Sequence, residues 1–197
     1  MAEDGQNYSM FSSRMLVDVV GDVTDEALKA SRIKDIIGVL AGRIFNWSQR
    51  KSLFPLHLGI KCCALEMAAA GASRFDAERF GVFFRSSPRQ CDVLLVNGPI
   101  SKKFADPLVR LWEQMPEPKW CIAMGECAIS GGPYYQSYNI LEGVETIIPV
   151  DVYIPGCPPR PEALIDGFAK LRQKIMRIGT KPSTDRAGDA PIIVGDD

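Results

Sequence analysis

The amino-acid sequence predicts a three-layer α/β domain built on a mainly parallel β-sheet. Short apolar runs alternate with segments in which apolar residues recur at helical spacing. The runs are almost uninterrupted, which is typical of strands that helices cover on both faces. A length of 197 residues with 46% hydrophobic content is enough for one sizeable core. We therefore expect one globular domain at residues 31–178, preceded by an N-terminal extension at 1–30 and followed by a mobile tail at 179–197.

The first predicted element of this domain is an amphipathic helix over residues 31–51. Its apolar residues recur at steps of three and four: Ile33, Ile36, Ile37, Leu40, Ile44 and Trp47. The remaining positions of the segment are rich in lysine and arginine. Two interpretations stay open, because such a helix packs on its own domain or a partner, or lies near an anionic membrane surface.

The predicted sheet and its helices follow in the rest of the chain. Strands are predicted at 81–84, 92–98, 120–125 and 146–156. Helices are predicted at 62–70, 102–115 and 161–176. The tail from Gly179 is rich in Gly, Pro and Asp and shows neither a helical nor a strand period. It is expected to be mobile or to become ordered only on a partner.

Charge and composition exclude several classes of function. A net charge of −1 argues against a nucleic-acid binder that works through bulk electrostatics. The N-terminus lacks a basic stretch followed by an apolar run, and no segment approaches the ~20 apolar residues of a membrane span. We therefore expect a cytosolic environment, where thiols stay reduced. The six cysteines are then buried, catalytic or metal-bound, and not a disulfide framework.

Four of the cysteines lie where a ligand site is expected. Cys127 and Cys157 each follow the carboxyl end of a predicted strand, and Cys62 and Cys63 open a predicted helix. Open α/β sheets bind ligands at the carboxyl ends of their strands. Glycines accompany each of these loops and let backbone N–H groups approach an anionic sulfur centre. The sequence therefore predicts one site with four cysteine ligands.

The adjacent pair of cysteines helps to choose the metal. The side chains of Cys62 and Cys63 diverge, so they converge poorly on one zinc ion, whereas a 4Fe-4S cluster offers a separate iron to each thiolate. The cluster is favoured, and a zinc-stabilised interaction domain is the alternative. Cys91 and Cys121 are not in Gly-rich loops and are expected to pack as small hydrophobic residues.

The same segments resemble a known family. "CCALEMAAAGASRFDAERFG", "RSSPRQCDVLLVNG", "QMPEPKWCIAMGECAISGG" and "PVDVYIPGCPPRPEAL" closely resemble the B subunit of respiratory complex I, which binds the terminal iron-sulfur cluster. The resemblance runs from about Ile36 to Ile178. It implies a flavodoxin-like fold related to the small subunit of nickel-iron hydrogenases. It also implies that the four cysteines Cys62, Cys63, Cys127 and Cys157 hold a 4Fe-4S cluster that reduces quinone.

The resemblance further implies partners and a location. The partners would be a larger quinone-site subunit and the membrane-arm subunits of a proton-pumping NADH:quinone oxidoreductase, on the cytoplasmic side of the cell membrane. "CAISGGPYYQSY" also resembles the matching subunit of F420H2 dehydrogenase, so the electron donor stays open. A hydrogenase-related complex is less favoured, because that group spaces its first two cluster cysteines as C-x-x-C. The chain lacks GxGxxG after a strand and lacks a Walker A motif, so we expect no NADH binding by this chain itself.

The residues around the adjacent cysteines depart from the family at two points. Phe54 precedes proline where the family commonly has Trp, and Met67-Ala68 stands where it often has two methionines. That region faces the quinone cavity in the family, so Phe54, Met67 and Ala68 are candidates for the quinone side. The alternative is that Phe54 and Met67 are ordinary core residues.

Basic residues near the predicted site are candidates for electrostatic tuning. We expect Arg74, Arg79 or Arg85 to lie near the cluster, where a cation favours the reduced form. Alternatively, these arginines form structural ion pairs with Glu66, Asp76 and Glu78. His57 is the single histidine, and a surface or hydrogen-bonded role is favoured for it over metal ligation.

Overall fold

The structure is a computed structural model, and it describes residues 31–179 and 191–195, with side chains from Ile37 onward. The chain divides into two compact units, residues 1–43 and residues 44–197. Of the first unit, only the helical residues from Ser31 are described, so the predicted extension at 1–30 lies outside the described residues. The site and its sheet belong to the second unit.

The described strands form one parallel sheet of five strands, and their spatial order follows the chain. The strands are β1 (Pro55–Leu58), β2 (Val93–Asn97), β3 (Trp120–Met124), β4 (Val152–Ile154) and β5 (Ile192–Ile193). Every residue of β2 and β3 is buried, as in strands that are covered on both faces. The predicted α/β class with a mainly parallel sheet is confirmed.

An extended segment at 81–85 runs parallel to the outer side of β1. Isolated bridges join Leu53 to Val82 and Leu56 to Arg85. The N–H groups of Phe83 and Arg85 donate to the carbonyls of Leu53 and Pro55, both at 2.9 Å. When this segment is counted in chain order, the first five extended segments are arranged 2-1-3-4-5, which is the flavodoxin-like order. The predicted strand at 81–84 is present in the form of these bridges.

Helices pack on both faces of the sheet. The α-helices of the described residues are α1 (Ser31–Lys51), α2 (Lys61–Gly71), α3 (Lys102–Gln114), α4 (Glu126–Ser130) and α5 (Pro161–Ile178). Val93 and Leu95 of β2 contribute to a core that includes residues of α2 and α5. Leu94 and Val96, which point to the opposite face, contribute to a core with residues of α3 and α4. The predicted three-layer arrangement is therefore present.

A buried ion pair fixes α5 against the strands. Lys174 Nζ lies 3.0 Å from Asp151 Oδ1, and both side chains are buried. Asp151 Oδ2 also accepts a hydrogen bond of 3.0 Å from the N–H of Cys121 in β3. Because a buried carboxylate requires such partners, this residue holds together the start of β4, strand β3 and helix α5.

The boundaries of α1 agree with the prediction, and those of α2, α3 and α5 agree within two residues. The strand predicted at 146–156 is wrong over most of its length, because β4 covers only 152–154 and a 3-10 turn covers Val144–Thr146. Ile148 is fully buried, so its hydrophobicity reflects packing beneath the turn.

Strand β1 and helix α4 were not predicted. Strand β5 pairs with β4, so Ile192 and Ile193 of the predicted tail join the edge of the sheet, while residues 180–190 lie outside the described residues.

Candidate metal centre

All four predicted ligand cysteines lie just beyond the carboxyl ends of strands. Cys62 and Cys63 are in the first turn of α2, which begins three residues after β1 ends. Cys127 is the second residue of α4, directly after β3, and Cys157 is three residues beyond the end of β4. Because these strands are parallel, their carboxyl ends share one edge of the sheet, as the sequence predicted.

The loop that leads to Cys62 is held by Asn97, the last residue of β2. The Asn97 side chain is fully buried, and its Oδ1 accepts a hydrogen bond of 2.9 Å from the N–H of Ile60. Its Nδ2 donates to Met67 Sδ at 3.2 Å, which adds a contact with α2. Sequence analysis did not single out Asn97. The sequence signal that could have identified Asn97 is a polar residue at the end of an apolar strand, at the edge of the sheet where ligands bind.

The loops that carry Cys127 and Cys157 are hydrogen-bonded to each other. The N–H of Gly125 donates to Ile154 O at 2.8 Å, and the N–H of Glu126 donates to Gly156 O at 3.0 Å. Both glycines have positive φ angles, +86° and +138°, which residues with side chains rarely adopt. The two loops therefore form one backbone unit at the edge of the sheet.

The thiol of Cys63 contacts this backbone unit. A Cβ atom on Gly125 would lie 2.7 Å from Cys63 Sγ, and a Cβ atom on Gly156 would lie 2.7 Å from Pro159 Cα. Both distances are shorter than van der Waals contact allows, so a side chain at Gly125 would displace the Cys63 thiol and one at Gly156 would displace the loop backbone. The fold thus brings the first cysteine loop into direct contact with the second.

The thiols are close enough to influence one another's ionisation. Burial raises the pKa of Cys63 to about 12, and the neighbouring groups of Cys62, Cys127 and Cys157 add to the rise. Burial also raises the pKa of Cys127, with further contributions from Cys157 and Cys62, while the charge of Lys61 opposes the rise. Binding of a metal would displace the protons of these thiols into solvent, since thiolates are the ligands.

The four thiols differ in their access to solvent. Cys63 and Cys127 are buried, whereas Cys62 and Cys157 are exposed. Within residues 31–179 and 191–195, no group of three or more His, Cys, Asp or Glu side chains is arranged to hold a metal ion. The four thiols belong to three loops at one edge of the sheet.

The other two cysteines lie in the core on the α3 side of the sheet. Cys91 is buried, its Sγ donates to Ser87 O at 3.1 Å, and burial raises its pKa to about 12. Cys121 is fully buried within β3, where burial raises its pKa well above the ordinary value. Both positions agree with packing as small apolar side chains.

The quinone-side candidates occupy three different environments. Phe54 is partly buried, and its ring stacks on that of Phe83 with 6.0 Å between the ring centroids. The guanidinium group of Arg85 lies 5.6 Å from the centroid of the Phe54 ring. Met67 is buried in the core between α2 and the sheet. Ala68 is exposed. In this chain Met67 is therefore a core residue, whereas Phe54 and Ala68 are accessible to a partner.

The three arginines chosen from the sequence each lie over an aromatic ring. The guanidinium groups of Arg74 and Arg79 are 5.8 and 4.7 Å from the rings of their sequence neighbours Phe75 and Phe80, and that of Arg85 is over Phe54. The cation that acts on the Cys127 thiol is Lys61, which the sequence analysis did not select.

His57 is exposed in β1 and makes an edge contact with Phe84, with 6.3 Å between ring centroids.

Comparison with known proteins assigns the family. Residues 61–171, which include all four candidate ligands, match the family model for "NADH ubiquinone oxidoreductase, 20 Kd subunit". The chain is 53% identical over 161 residues to the B subunit of NADH-quinone oxidoreductase from Heliobacterium modesticaldum, covering 80% of this chain and 90% of that protein. It is 54% identical over 142 residues to the B 2 subunit of NADH-quinone oxidoreductase from Rhizobium etli, covering 72% and 84%.

A solved structure shares the fold at higher divergence. The chain is similar to a chain of the membrane-bound sulfane sulfur reductase, an archaeal respiratory membrane complex. The TM-score is 0.67 with 38% sequence identity, and the match covers 74% of this chain and 82% of that one. No helix in the described part of the chain is long and apolar enough to cross a membrane. With strands β2 to β4, all four cysteines and most of α5 inside residues 61–171, the chain belongs to the family of the 20 Kd subunit of NADH ubiquinone oxidoreductase.

Proposed function

We propose that this chain is the electron-transfer subunit of an NADH:quinone oxidoreductase. In this proposal Cys62, Cys63, Cys127 and Cys157 hold one 4Fe-4S cluster from which quinone is reduced. The observation that carries it is the placement of these four thiols at the carboxyl edge of the sheet, where the Cys127 and Cys157 loops are hydrogen-bonded to each other and Cys63 Sγ lies against Gly125. When bound, such a cluster supplies one-electron transfer. The family of the chain supports this activity.

The residues of the site suit an anionic sulfur-rich group. Four thiolates supply the ligand set of a 4Fe-4S cluster. The positive-φ glycines at 125 and 156 keep the backbone close to the ligands without side-chain bulk. The buried thiols of Cys63 and Cys127 would form the inner side of the site, and the exposed Cys62 and Cys157 its outer side. An electron acceptor must approach closely, so the exposed side is where quinone and the larger partner subunit would lie.

The quinone-side residues follow from this orientation. Ala68 lies on the exposed face of α2, and Phe54 presents a partly covered aromatic ring beside β1. Both suit the wall of a site for a flat, apolar head group. Met67 would support this wall from the core, because its sulfur accepts the hydrogen bond from Asn97.

Helix α1 offers a surface for attachment to the complex. The side chains of Ile44 and Trp47 are each more than half exposed on this helix, and Arg50 and Lys51 lie in its last turn. Exposed apolar residues beside basic ones suit a membrane-arm subunit or the membrane interface itself. We place the chain as a peripheral subunit on the cytoplasmic side of the cell membrane.

A second candidate differs only in the electron donor. The similarity to a chain of an archaeal respiratory complex named for sulfane sulfur reduction indicates that this fold serves complexes with different substrates. The equivalent subunit of an F420H2 dehydrogenase or a hydrogenase-related complex is therefore the alternative. Reduction of the cluster in the assembled complex by NADH, compared with reduction by F420H2, separates the two.

Metal analysis tests the proposal directly. The purified chain or complex should contain iron and acid-labile sulfide in equal amounts, and dithionite reduction should produce an EPR signal from one 4Fe-4S cluster per copy of this chain. Stoichiometric zinc with no iron would instead support the zinc-stabilised interaction domain.

A further inference from the structure

Lys61 lies between the loop held by Asn97 and the first ligand, and its backbone is unusual. Its φ angle is +53°, in the left-handed region that residues with side chains rarely adopt. Such conformations cost free energy, persist where the surrounding structure determines them, and cluster at functional sites.

The side chain of Lys61 reaches from the first cysteine loop to the second. Its Nζ donates a hydrogen bond to the hydroxyl of Tyr134 and lies 4.1 Å from the centroid of that ring. Tyr134 belongs to the turn Gly132–Tyr134, which follows the helix that carries Cys127. A tyrosine from one ligand loop thus holds an ammonium group from the other by a hydrogen bond and a cation–π contact.

The link places the charge of Lys61 beside both ligand loops. Lys61 directly precedes Cys62 in the chain, and the turn whose Tyr134 holds its ammonium group follows the helix of Cys127. Lys61 is thus a fixed cation beside two of the four candidate ligands.

We propose that Lys61, held in place by Tyr134, raises the reduction potential of the cluster in the proposed site. This inference rests on the proposed function. Reduction adds one electron, supplied by the preceding redox centre of the complex, and therefore one negative charge to a group that four thiolates already make anionic. A nearby ammonium stabilises that extra charge, and Lys61 itself neither gains nor loses a proton in the step. A higher potential suits a terminal acceptor.

The test is an EPR-monitored redox titration of the assembled complex with Lys61→Met, Lys61→Arg and Tyr134→Phe. For Lys61→Met we expect the ratio of reduced to oxidised cluster at a given ambient potential to fall on the order of tenfold, which corresponds to about 59 mV for one electron. Solvent screening limits the effect to this size, because Lys61 is exposed. Lys61→Arg should keep most of the wild-type potential. Tyr134→Phe should give a smaller decrease, because the ring stays and the hydrogen bond is lost.

The matched control is Arg177→Met, which removes an exposed cation from the last turn of α5, at the far end of the helix that begins after Cys157. Its potential should equal that of the wild type. An unchanged potential in Lys61→Met with a normal EPR signal would overturn the inference. If the Lys61→Met variant loses the cluster, the Tyr134→Phe variant becomes the test. An unchanged cluster potential in Tyr134→Phe would then overturn the inference. Absence of iron and of any EPR signal in the wild type would instead refute the proposed function.

Discussion

Cys62 and Cys63 are neighbours in the sequence and have opposite environments, since one thiol is exposed and the other is buried. This difference follows from the helical turn that they share, because adjacent residues of a helix point about 100° apart. The pair can therefore serve two positions of a wide site, but it cannot converge on one point. Sequence reasoning reached this conclusion from side-chain divergence alone.

The first prediction concerns the ligand set. Replacement of Cys62, Cys63, Cys127 or Cys157 by alanine should abolish or grossly alter the EPR signal of the reduced cluster, because each would remove one ligand. Cys91→Ala and Cys121→Ala are the matched controls, and both should keep the signal, since they lie in the core on the α3 side. Iron content should follow the EPR result. Equal loss of signal in Cys91→Ala would show that the ligand set is wrong.

The second prediction separates Phe54 from Met67. In the assembled complex, Phe54→Ala should retain its iron content and EPR signal and should change the KM for quinone or the sensitivity to quinone-site inhibitors. Met67→Ala should mainly lower stability, by about 2–5 kcal/mol, because Met67 fills the core beneath α2. The measurements are quinone kinetics and the yield of assembled complex. Normal quinone kinetics in a fully assembled Phe54→Ala complex would mean that the partner subunit, and not Phe54, forms the wall of the quinone site.

At the scale of elements, the entry into β1 depends on one carboxylate from the start of β2. Asp92 Oδ1 accepts a hydrogen bond of 2.7 Å from the N–H of Phe54, one residue before β1. Burial nevertheless raises the pKa of Asp92 to about 6, so the desolvation of the carboxylate outweighs the stabilising hydrogen bond. Ionised Asp92 is therefore a source of instability at neutral pH.

The third prediction follows from the sign of this shift. Between pH ~4 and ~6 the folded chain binds the Asp92 proton more tightly than the unfolded chain, whose aspartates have a pKa near 3.9. The contribution of Asp92 to the free energy of unfolding should thus be largest below pH ~4. It should fall by about 3 kcal/mol as the pH rises through ~6. Asp92→Asn keeps an oxygen for the Phe54 N–H and cannot ionise. Its free energy of unfolding should exceed that of the wild type at pH 8.

Urea unfolding of the isolated chain at pH 4.5 and pH 8 measures the effect. The difference between wild type and Asp92→Asn should be larger at pH 8 than at pH 4.5. A constant difference across this range would mean that Asp92 titrates normally in the folded chain.

Three of the helices that sequence reasoning found, α1, α3 and α5, share a long and regular pattern of apolar residues. Helix α1 extends over six turns with apolar residues at steps of three and four, so its periodicity sets both its boundaries. Strand β1 has four residues and begins with Pro55, and α4 has five, so neither is long enough to show a period. In the stretch 146–156 the apolar residues are buried by a turn as well as by a strand, and hydrophobicity cannot separate these two cases.

The site was predictable for a related reason. Parallel strands place their carboxyl ends at one edge, so the cysteines after predicted strands could be assigned to that edge without coordinates. Asn97 and the contact between Lys61 and Tyr134 could not be found in this way. They depend on the register of β2 beside β1 and on the direction of two side chains across 73 residues of sequence.

At the scale of the whole molecule, the described sheet has the strand order of a flavodoxin-like, doubly wound fold. The turn after β1, where dinucleotide-binding proteins carry the glycine fingerprint, holds Lys61 and the two adjacent cysteines. The backbone N–H groups at this helix start are thus positioned beside thiols.

The fourth prediction is that the purified chain neither binds nor oxidises NADH. Isothermal calorimetry with NADH should show no heat of binding, and an assay with an artificial electron acceptor should show no turnover. The complete complex is the positive control for both measurements. Binding at micromolar NADH would contradict the role of this chain as an electron relay.

The spread of the ligands along the chain has a consequence for biosynthesis. Cys62 and Cys157 are separated by most of the domain, and the Cys157 loop is hydrogen-bonded to the Cys127 loop where β4 pairs with β3. A ribosome delivers Cys62 and Cys63 first and Cys157 last, so a nascent or truncated chain that ends before β4 presents three thiols without the backbone unit that closes over them. If these thiols hold the proposed cluster, delivery of iron and sulfide would wait for nearly complete synthesis, and a loaded metal centre would require that the domain has been made and folded through β4.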